Sequence, residues 1–135
     1  MFIGIITTVG GKAMIRPILA SADPYKAADI FAAAGWTIDF SQPPESGDPL
    51  AGVSLGDNSV LLGIVDGYVS NENLSHIGCG VEIYLTVPAT QINSIYGQHL
   101  FLKPTDLTTQ PWGDLAFEVN ICGYRFMIAA VQRGE

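Results

Sequence analysis

Two similar runs of sequence constrain the fold more than any other feature of this chain. Asp23 and Pro24 are residues suited to start one helix, and Pro88 is suited to start another, with strand-like segments before and after each helix. Matching Pro24 with Ala89 gives a spacing of about 65 residues, which suits a duplicated module. We therefore predict an α+β fold of two βαβββ modules, whose helices cover the outer faces while the inner faces of a curved sheet surround a cleft.

The predicted modules span residues 15–66 and 80–131, with a polar linker at residues 67–79. Gly35 and Gly97 are predicted to end the two helices. Residues 1–13 stand outside the repeat and form either an added strand or a frayed tail. The predicted strands of the modules lie at residues 15–21, 36–40, 50–55 and 59–65, and at residues 80–87, 99–102, 117–120 and 124–130.

The composition points to a surface that is partly covered. Of the 135 residues, 48% are hydrophobic and only 14% are charged. Such a surplus is typical of a chain that buries part of its surface in a subunit interface or a ligand cleft. We therefore expect a homodimer.

The charge excludes one class of partner. Thirteen acidic and six basic residues give a formal net charge of −7, whereas a nucleic-acid surface needs clustered Lys and Arg. The acidic balance either serves solubility alone or provides a field that attracts cationic small molecules.

Compartment and redox state follow from what the sequence contains. Cys79 and Cys122 lack the paired spacing of a disulfide framework or a metal knuckle, so we expect buried reduced thiols. No apolar stretch approaches the roughly 20 residues of a membrane span, and the apolar start lacks the basic residues of a secretory signal. We expect a cytoplasmic protein with no membrane partner.

A short motif near the C-terminus is the most distinctive local feature. Gln110-Pro111-Trp112-Gly113-Asp114 reads as a tight turn before a strand. With its strand neighbour Phe117, it resembles the end of a vicinal-oxygen-chelate protein of the glyoxalase, bleomycin-resistance and dioxygenase superfamily. The likeness is closest to the bleomycin-resistance proteins, although Leu115 stands where they usually have Arg.

The resemblance allows the metal site of the superfamily's enzymes to be checked. Those enzymes hold a divalent metal with His, Glu or Gln from four strand positions, two in each module. Here the four positions fall at Arg16, at Leu62 or Gly63, at Glu82 and at Met127. A single carboxylate cannot supply the ligands that a catalytic metal needs, so we expect no metal and no cofactor. For His76 and His99 we expect surface or structural roles.

A ligand site is expected from alternation and from the resemblance together. Period-two alternation puts Glu82, Tyr84 and Thr86 on one face of their strand, and Trp112 matches the position where bleomycin-resistance proteins place an aromatic ring beside the drug. Glu82 and Arg16 are expected to meet as a neutralised pair or a proton-transfer pair. The expected apolar wall of this ligand-binding site consists of Phe40, Leu50, Leu62, Phe117 and Met127.

These observations favour ligand capture over catalysis, because no nucleophile elbow, catalytic triad spacing or phosphate-cradling loop is present in the sequence. The resemblance implies a metal-free protein that sequesters a planar or cationic antibiotic of the bleomycin kind, and no catalytic residue is assigned. Two alternatives stay open: a metal-dependent lyase, thiol transferase or dioxygenase of the same superfamily, and an accessory domain that binds a peptide or partner protein.

Overall fold

Two four-stranded sheets, each with one helix, make up the part of the chain that the structure describes. The structure is a computed structural model and describes residues 13–64 and 69–131. The first half contains β1 (Ile18–Ser21), α1 (Pro24–Ala33), β2 (Thr37–Gln42), β3 (Leu50–Leu55) and β4 (Asn58–Ile64). The second half contains β5 (Glu82–Val87), α2 (Ile92–Gln98), β6 (Thr108–Thr109), β7 (Leu115–Ile121) and β8 (Tyr124–Ala130). Short 3-10 helices lie at Pro44–Ser46, Asn71–His76 and Leu100–Leu102.

The two sheets share one topology. The strand order is β1-β4-β3-β2 in the first sheet and β5-β8-β7-β6 in the second. In each sheet the pair formed by the first and last strands of the module is parallel, and the other pairs are antiparallel. The predicted α+β fold of two βαβββ modules is confirmed. We keep residues 15–66 and 80–131 as the proposed module boundaries.

Helix α1 begins where the sequence predicts. The Asp23 side chain accepts hydrogen bonds from the backbone N–H groups of Tyr25, at 3.0 Å, and Lys26, at 3.2 Å. Pro24 occupies the first turn, where its missing N–H costs nothing. Gly35 follows the helix with a φ of +99°, which a residue without a Cβ adopts readily. The start and the end of this helix are therefore local properties of the sequence.

An aromatic cluster joins the two halves. Phe31 of α1 contacts Trp36 edge to face, with ring centroids 4.9 Å apart. Phe126 of β8 contacts Phe31 at 5.8 Å and Trp36 at 5.7 Å. All three rings are buried. Edge-to-face packing of such rings adds to the stability from burial alone, so this cluster holds the halves together.

A buried histidine forms a second connection between the halves. The indole N–H of Trp36 donates to Nε2 of His99 at 3.0 Å, and Nδ1 of His99 lies 2.7 Å from the carbonyl oxygen of Ile95. Since a carbonyl only accepts, His99 is the neutral tautomer with its proton on Nδ1. Burial lowers the pKa of His99. The structural role expected for His99 is thus confirmed, while His76 is exposed at the end of a 3-10 helix.

The predicted strand at residues 99–102 is wrong. Gly97 lies inside α2 rather than ending it, and the chain continues into the 3-10 helix Leu100–Leu102 because His99 is anchored in the core. Lys103, with a φ of +58°, then ends the helical run. The missing strand is β6, which pairs with β7 at only two positions.

The expectation of buried thiols is also wrong for one cysteine. Cys79 is exposed because it lies in a glycine-flanked turn before β5, and Cys122 is half-buried in the turn between β7 and β8. Burial raises the pKa of the Cys122 thiol. The predicted extra strand in residues 1–13 lies outside the described residues, apart from Ala13. No helix in the described ranges is long and apolar enough to cross a membrane.

Candidate functional site

The second sheet has one closed face and one open face. Along β5, Leu85 and Val87 are buried toward the helices, whereas Glu82, Tyr84 and Thr86 are exposed. This is the alternation that the sequence predicts. The open face of the second sheet therefore carries the polar and aromatic side chains available to a ligand.

The predicted turn brings an aromatic ring to the edge of this face. The N–H of Gly113 donates to the carbonyl of Gln110, and the N–H of Gln110 donates to the carbonyl of Asp114, both at 2.8 Å. Gly113 has a φ of +105°, which explains why glycine is needed there. Trp112 projects from the tip of this turn and is 47% exposed.

Tyr84, Trp112 and Asp114 form a hydrogen-bonded group. The Tyr84 hydroxyl donates to Oδ2 of Asp114 at 2.6 Å and accepts from the Trp112 indole N–H at 3.0 Å. The two ring centroids are 6.4 Å apart with planes inclined by 53°, so the rings form an open notch rather than a stack. Asp114 lies beneath them and is 3% exposed. Asp114 was not predicted as a site residue, because its hydrogen-bond partner Tyr84 is 30 residues away in the sequence.

A charged group lies along the same face. Oε2 of Glu118 in β7 lies 3.8 Å from Nη1 of Arg125 in β8. Arg125 also pairs in register with Glu82 of β5. A hydrogen bond with Glu118, then desolvation and the charge of Glu118, raise the pKa of Glu82, while the charge of Arg125 opposes this shift. The expected partner of Glu82 was Arg16, which is exposed before β1; the charged groups that act on Glu82 are Glu118 and Arg125 instead. Period-two alternation along β8 puts Arg125 on the same face as Met127, and this pattern could have identified Arg125 from the sequence.

Met127 lies at the centre of the open face. It pairs in register with Tyr84 on one side and Glu118 on the other, and it is half-buried. The structure thus brings four of the predicted ligand-binding residues to the open face of the second sheet: Glu82, Tyr84, Trp112 and Met127.

Two further predicted residues lie on the open face of the first sheet. Phe40 is 37% exposed and pairs with Gly52, and a Cβ built on Gly52 would overlap the Phe40 ring. Leu50 is half-buried at the start of β3. These residues form an apolar surface on the first sheet, separate from the charged group of the second.

The remaining two predicted wall residues are not on an open face. Leu62 and Phe117 are fully buried in the core. Phe117 packs between Tyr96, at a ring-centroid distance of 5.1 Å, and His99, at 5.6 Å. Each side chain points toward the helices because strand alternation puts its sequence neighbours on the open side.

The four positions of the superfamily's metal site do not form a donor set here. Leu62 is buried, Gly63 has no side chain, Arg16 is a cation and Met127 offers only a thioether. Glu82 is the single hard donor. Within residues 13–64 and 69–131, no three His, Cys, Asp or Glu side chains lie close enough to hold a metal ion. The residues therefore do not fit the superfamily's catalytic metal.

A cavity of about 500 Å³ adjoins the charged end of the face. Its walls include Glu82, Arg125, Asn120 and the turn around Cys79. The volume lies within the range of small-molecule sites.

Comparison with solved structures identifies the fold. A bleomycin-binding protein complexed with bleomycin matches with a TM-score of 0.66 and 14% identity, over 90% of this chain and 100% of that one. A bleomycin resistance determinant encoded on the transposon Tn5 matches with a TM-score of 0.64 and 13% identity, over the same shares. Lactoylglutathione lyase from Agrobacterium tumefaciens matches with a TM-score of 0.58 and 12% identity, over 87% of this chain and 92% of that one. No protein-family model and no curated protein matches the chain.

These similarities define the fold of the protein. The chain has the fold of the vicinal-oxygen-chelate superfamily, and the resemblance predicted from the sequence is confirmed. Binding proteins and enzymes share that fold, so function must be argued from the site.

Proposed function

We propose that this protein is a metal-free small-molecule binding protein, cytoplasmic and homodimeric, that sequesters a planar or cationic ligand of the bleomycin kind in a cleft between paired modules. The observation that carries the proposal is the Tyr84–Trp112 notch beside a carboxylate-rich sheet face. Sequestration requires affinity alone, and this face supplies it without a catalytic group.

Aromatic surface is the first source of affinity. Tyr84 and Trp112 are each 47% exposed. Large aromatic rings are usually buried, and exposed ones grouped together mark a surface that binds a ligand or a partner. An indole face is a good platform for planar rings and for cations. Met127 continues this surface toward the sheet centre.

Negative charge on the open face is the second source of affinity for a ligand. Glu82 and Glu118 lie on the open face with a single cation, Arg125, which is exposed over 63% of its side chain. The formal net charge of −7 adds a long-range attraction for cations. A cationic ligand would therefore be favoured both at a distance and on contact.

The homodimer is supported by apolar residues at sheet edges. β1 and β5 are edge strands, and Ile15, Ile18 and Val81 beside or within them are 95%, 59% and 49% exposed. Exposed apolar edges invite association with another chain. A second copy of this chain would cover them and deepen the cleft.

The proposal is tested by titrating the purified protein with metal-free bleomycin and copper-bleomycin while following Trp fluorescence. Trp112 is exposed and Trp36 is buried, so quenching reports mainly on Trp112. We expect saturable quenching that persists after EDTA treatment. Because Trp112→Ala removes this fluorophore, its binding is measured by calorimetry, and we expect the affinity to be lost. Sedimentation of the free protein over a range of concentrations gives its molecular mass in solution and so tests for the homodimer.

Leu100→Ala provides the matched control, since Leu100 is a comparably exposed apolar residue, 53% exposed, outside the proposed site. It should bind as the wild type does. Absence of binding by any drug, together with stoichiometric metal that only a chelator removes, would sink the proposal and favour a metal-dependent enzyme of the same fold. A monomer at all concentrations without drug binding would favour the accessory-domain alternative.

A further inference from the structure

The hydrogen-bonded group beneath the aromatic notch has an order that suggests a function. The Trp112 N–H donates to the Tyr84 hydroxyl, and that hydroxyl donates to the Asp114 carboxylate. The chain of donors therefore runs from the exposed ring to a carboxylate that is 3% exposed. Asp114 belongs to the turn and Tyr84 to β5, so the group also joins two elements.

The first consequence concerns which part of Trp112 a ligand can use. The indole has a single hydrogen-bond donor, its N–H, and Tyr84 accepts it at 3.0 Å. The face of the ring is left as its recognition surface. A guest that stacks on this face is recognised by shape and electrostatics, and the 53° tilt of Tyr84 provides a side wall.

The second consequence concerns charge. Hydrogen bonds in a chain polarise one another, and a carboxylate acceptor strengthens the hydrogen bond that it accepts from a hydroxyl. Tyr84 consequently becomes a better acceptor for Trp112, and the negative potential of the aromatic notch increases. A ring with a more negative face attracts cations more strongly.

We infer that Asp114, acting through Tyr84, is the positioning residue that makes the Trp112 face selective for planar cations over neutral planar molecules. This inference rests on the proposed function and refines its ligand class from planar or cationic to planar and cationic. Asp114 itself does not touch the ligand; it fixes the orientation and the potential of the rings that do.

The test compares two probes of nearly equal shape. N-methylquinolinium is a planar cation, and quinoline is uncharged at neutral pH. We expect the wild-type protein to bind the cation at least about tenfold more tightly. In Asp114→Asn the preference should fall to about twofold or less, while the affinity for quinoline changes little.

Two further variants keep the result interpretable. Tyr84→Phe retains the ring and removes both hydrogen bonds, so it should also lose the preference even if Asp114→Asn fails to fold. Asp29→Asn removes one negative charge from the exposed side of α1 and should keep the full preference. The control thus separates a local effect from a change in net charge.

An independent readout follows the indole protons by nitrogen-15 NMR. The two Trp residues give two N–H signals, and Trp36, bonded to His99 in the core, reports on folding. We expect Tyr84→Phe and Asp114→Asn to shift the Trp112 signal and to accelerate its hydrogen exchange, with the Trp36 signal unchanged.

A wild-type protein that binds both probes equally, or an Asp114→Asn variant that keeps the preference, overturns the inference while bleomycin binding can still stand. If the protein binds bleomycin but neither probe, the inference is overturned and the proposed function is not. Loss of binding to every compound overturns both the inference and the proposed function.

Discussion

The open faces of the two sheets differ although the sheets share one strand order. The first sheet presents Phe40 over Gly52, an apolar surface with a glycine that lets the ring lie close to the backbone. The second presents Glu82, Tyr84 and Met127 along neighbouring strands. The closed faces, in contrast, meet in one aromatic core. The closed faces of the two sheets therefore share one core, while their open faces have different chemistry.

The largest effect is expected where the closed faces meet. Phe126→Ala removes a fully buried ring that contacts both Phe31 and Trp36, and should lower the free energy of unfolding by about 3–5 kcal/mol. Met127→Ala changes the adjacent residue on the open face and should cost only about 1–2 kcal/mol, because that side chain is half-buried. Urea unfolding of both variants measures the difference. Equal losses would contradict the division into a closed and an open face.

The next prediction compares a glycine of each module. Gly52→Ala places a methyl group against the Phe40 ring and should destabilise the protein by about 1–3 kcal/mol. Gly97→Ala in α2 meets open space and should stabilise it by about 0.5–1 kcal/mol, because alanine favours a helix. Thermal unfolding distinguishes the two signs. Adding Phe40→Ala should recover most of the Gly52→Ala loss, and a strictly additive double variant would show that the ring is not the obstacle.

The features that could be predicted from the sequence are those that depend on residues close together in the chain. Asp23 and Pro24 specify the start of α1 through contacts within three residues, and alternation placed Glu82 and Tyr84 on one face. Asp114 required knowledge that β5 and the turn before β7 lie side by side, which no local pattern contains. Leu62 and Phe117 were assigned by family position rather than by alternation, and a shift of one residue moves a side chain to the other face.

The third prediction concerns the contact between the halves at Trp36 and His99. Burial lowers the pKa of His99 in the folded protein, so the unfolded chain takes up a proton first, near its ordinary pKa of about 6.5. Stability is therefore fully present above that pH and is lost as the pH falls toward the lower folded pKa. Urea unfolding at about pH 7.5 and about pH 5.5 should show a smaller pH dependence for His99→Gln than for the wild type. His76→Gln, at an exposed position, should keep the wild-type dependence, and a shared dependence in all three proteins would exclude His99 as its source.

The smallest effect on stability is expected on the open face and has the opposite sign. The hydrogen bond with Glu118 raises the pKa of Glu82, so its contribution is present below the ordinary glutamate pKa and is lost as the pH rises through the folded value. At neutral pH, Glu82→Gln keeps a hydrogen-bonding group and removes a like charge, so it should raise the free energy of unfolding by no more than about 0.5 kcal/mol, because solvent screens this exposed group. Glu45→Gln in the first module, also exposed, is the matched control and should change nothing measurable. A marked loss of stability in Glu82→Gln would mean that the carboxylate group stabilises the sheet rather than being available for a cation, and would remove the functional difference between the two open faces.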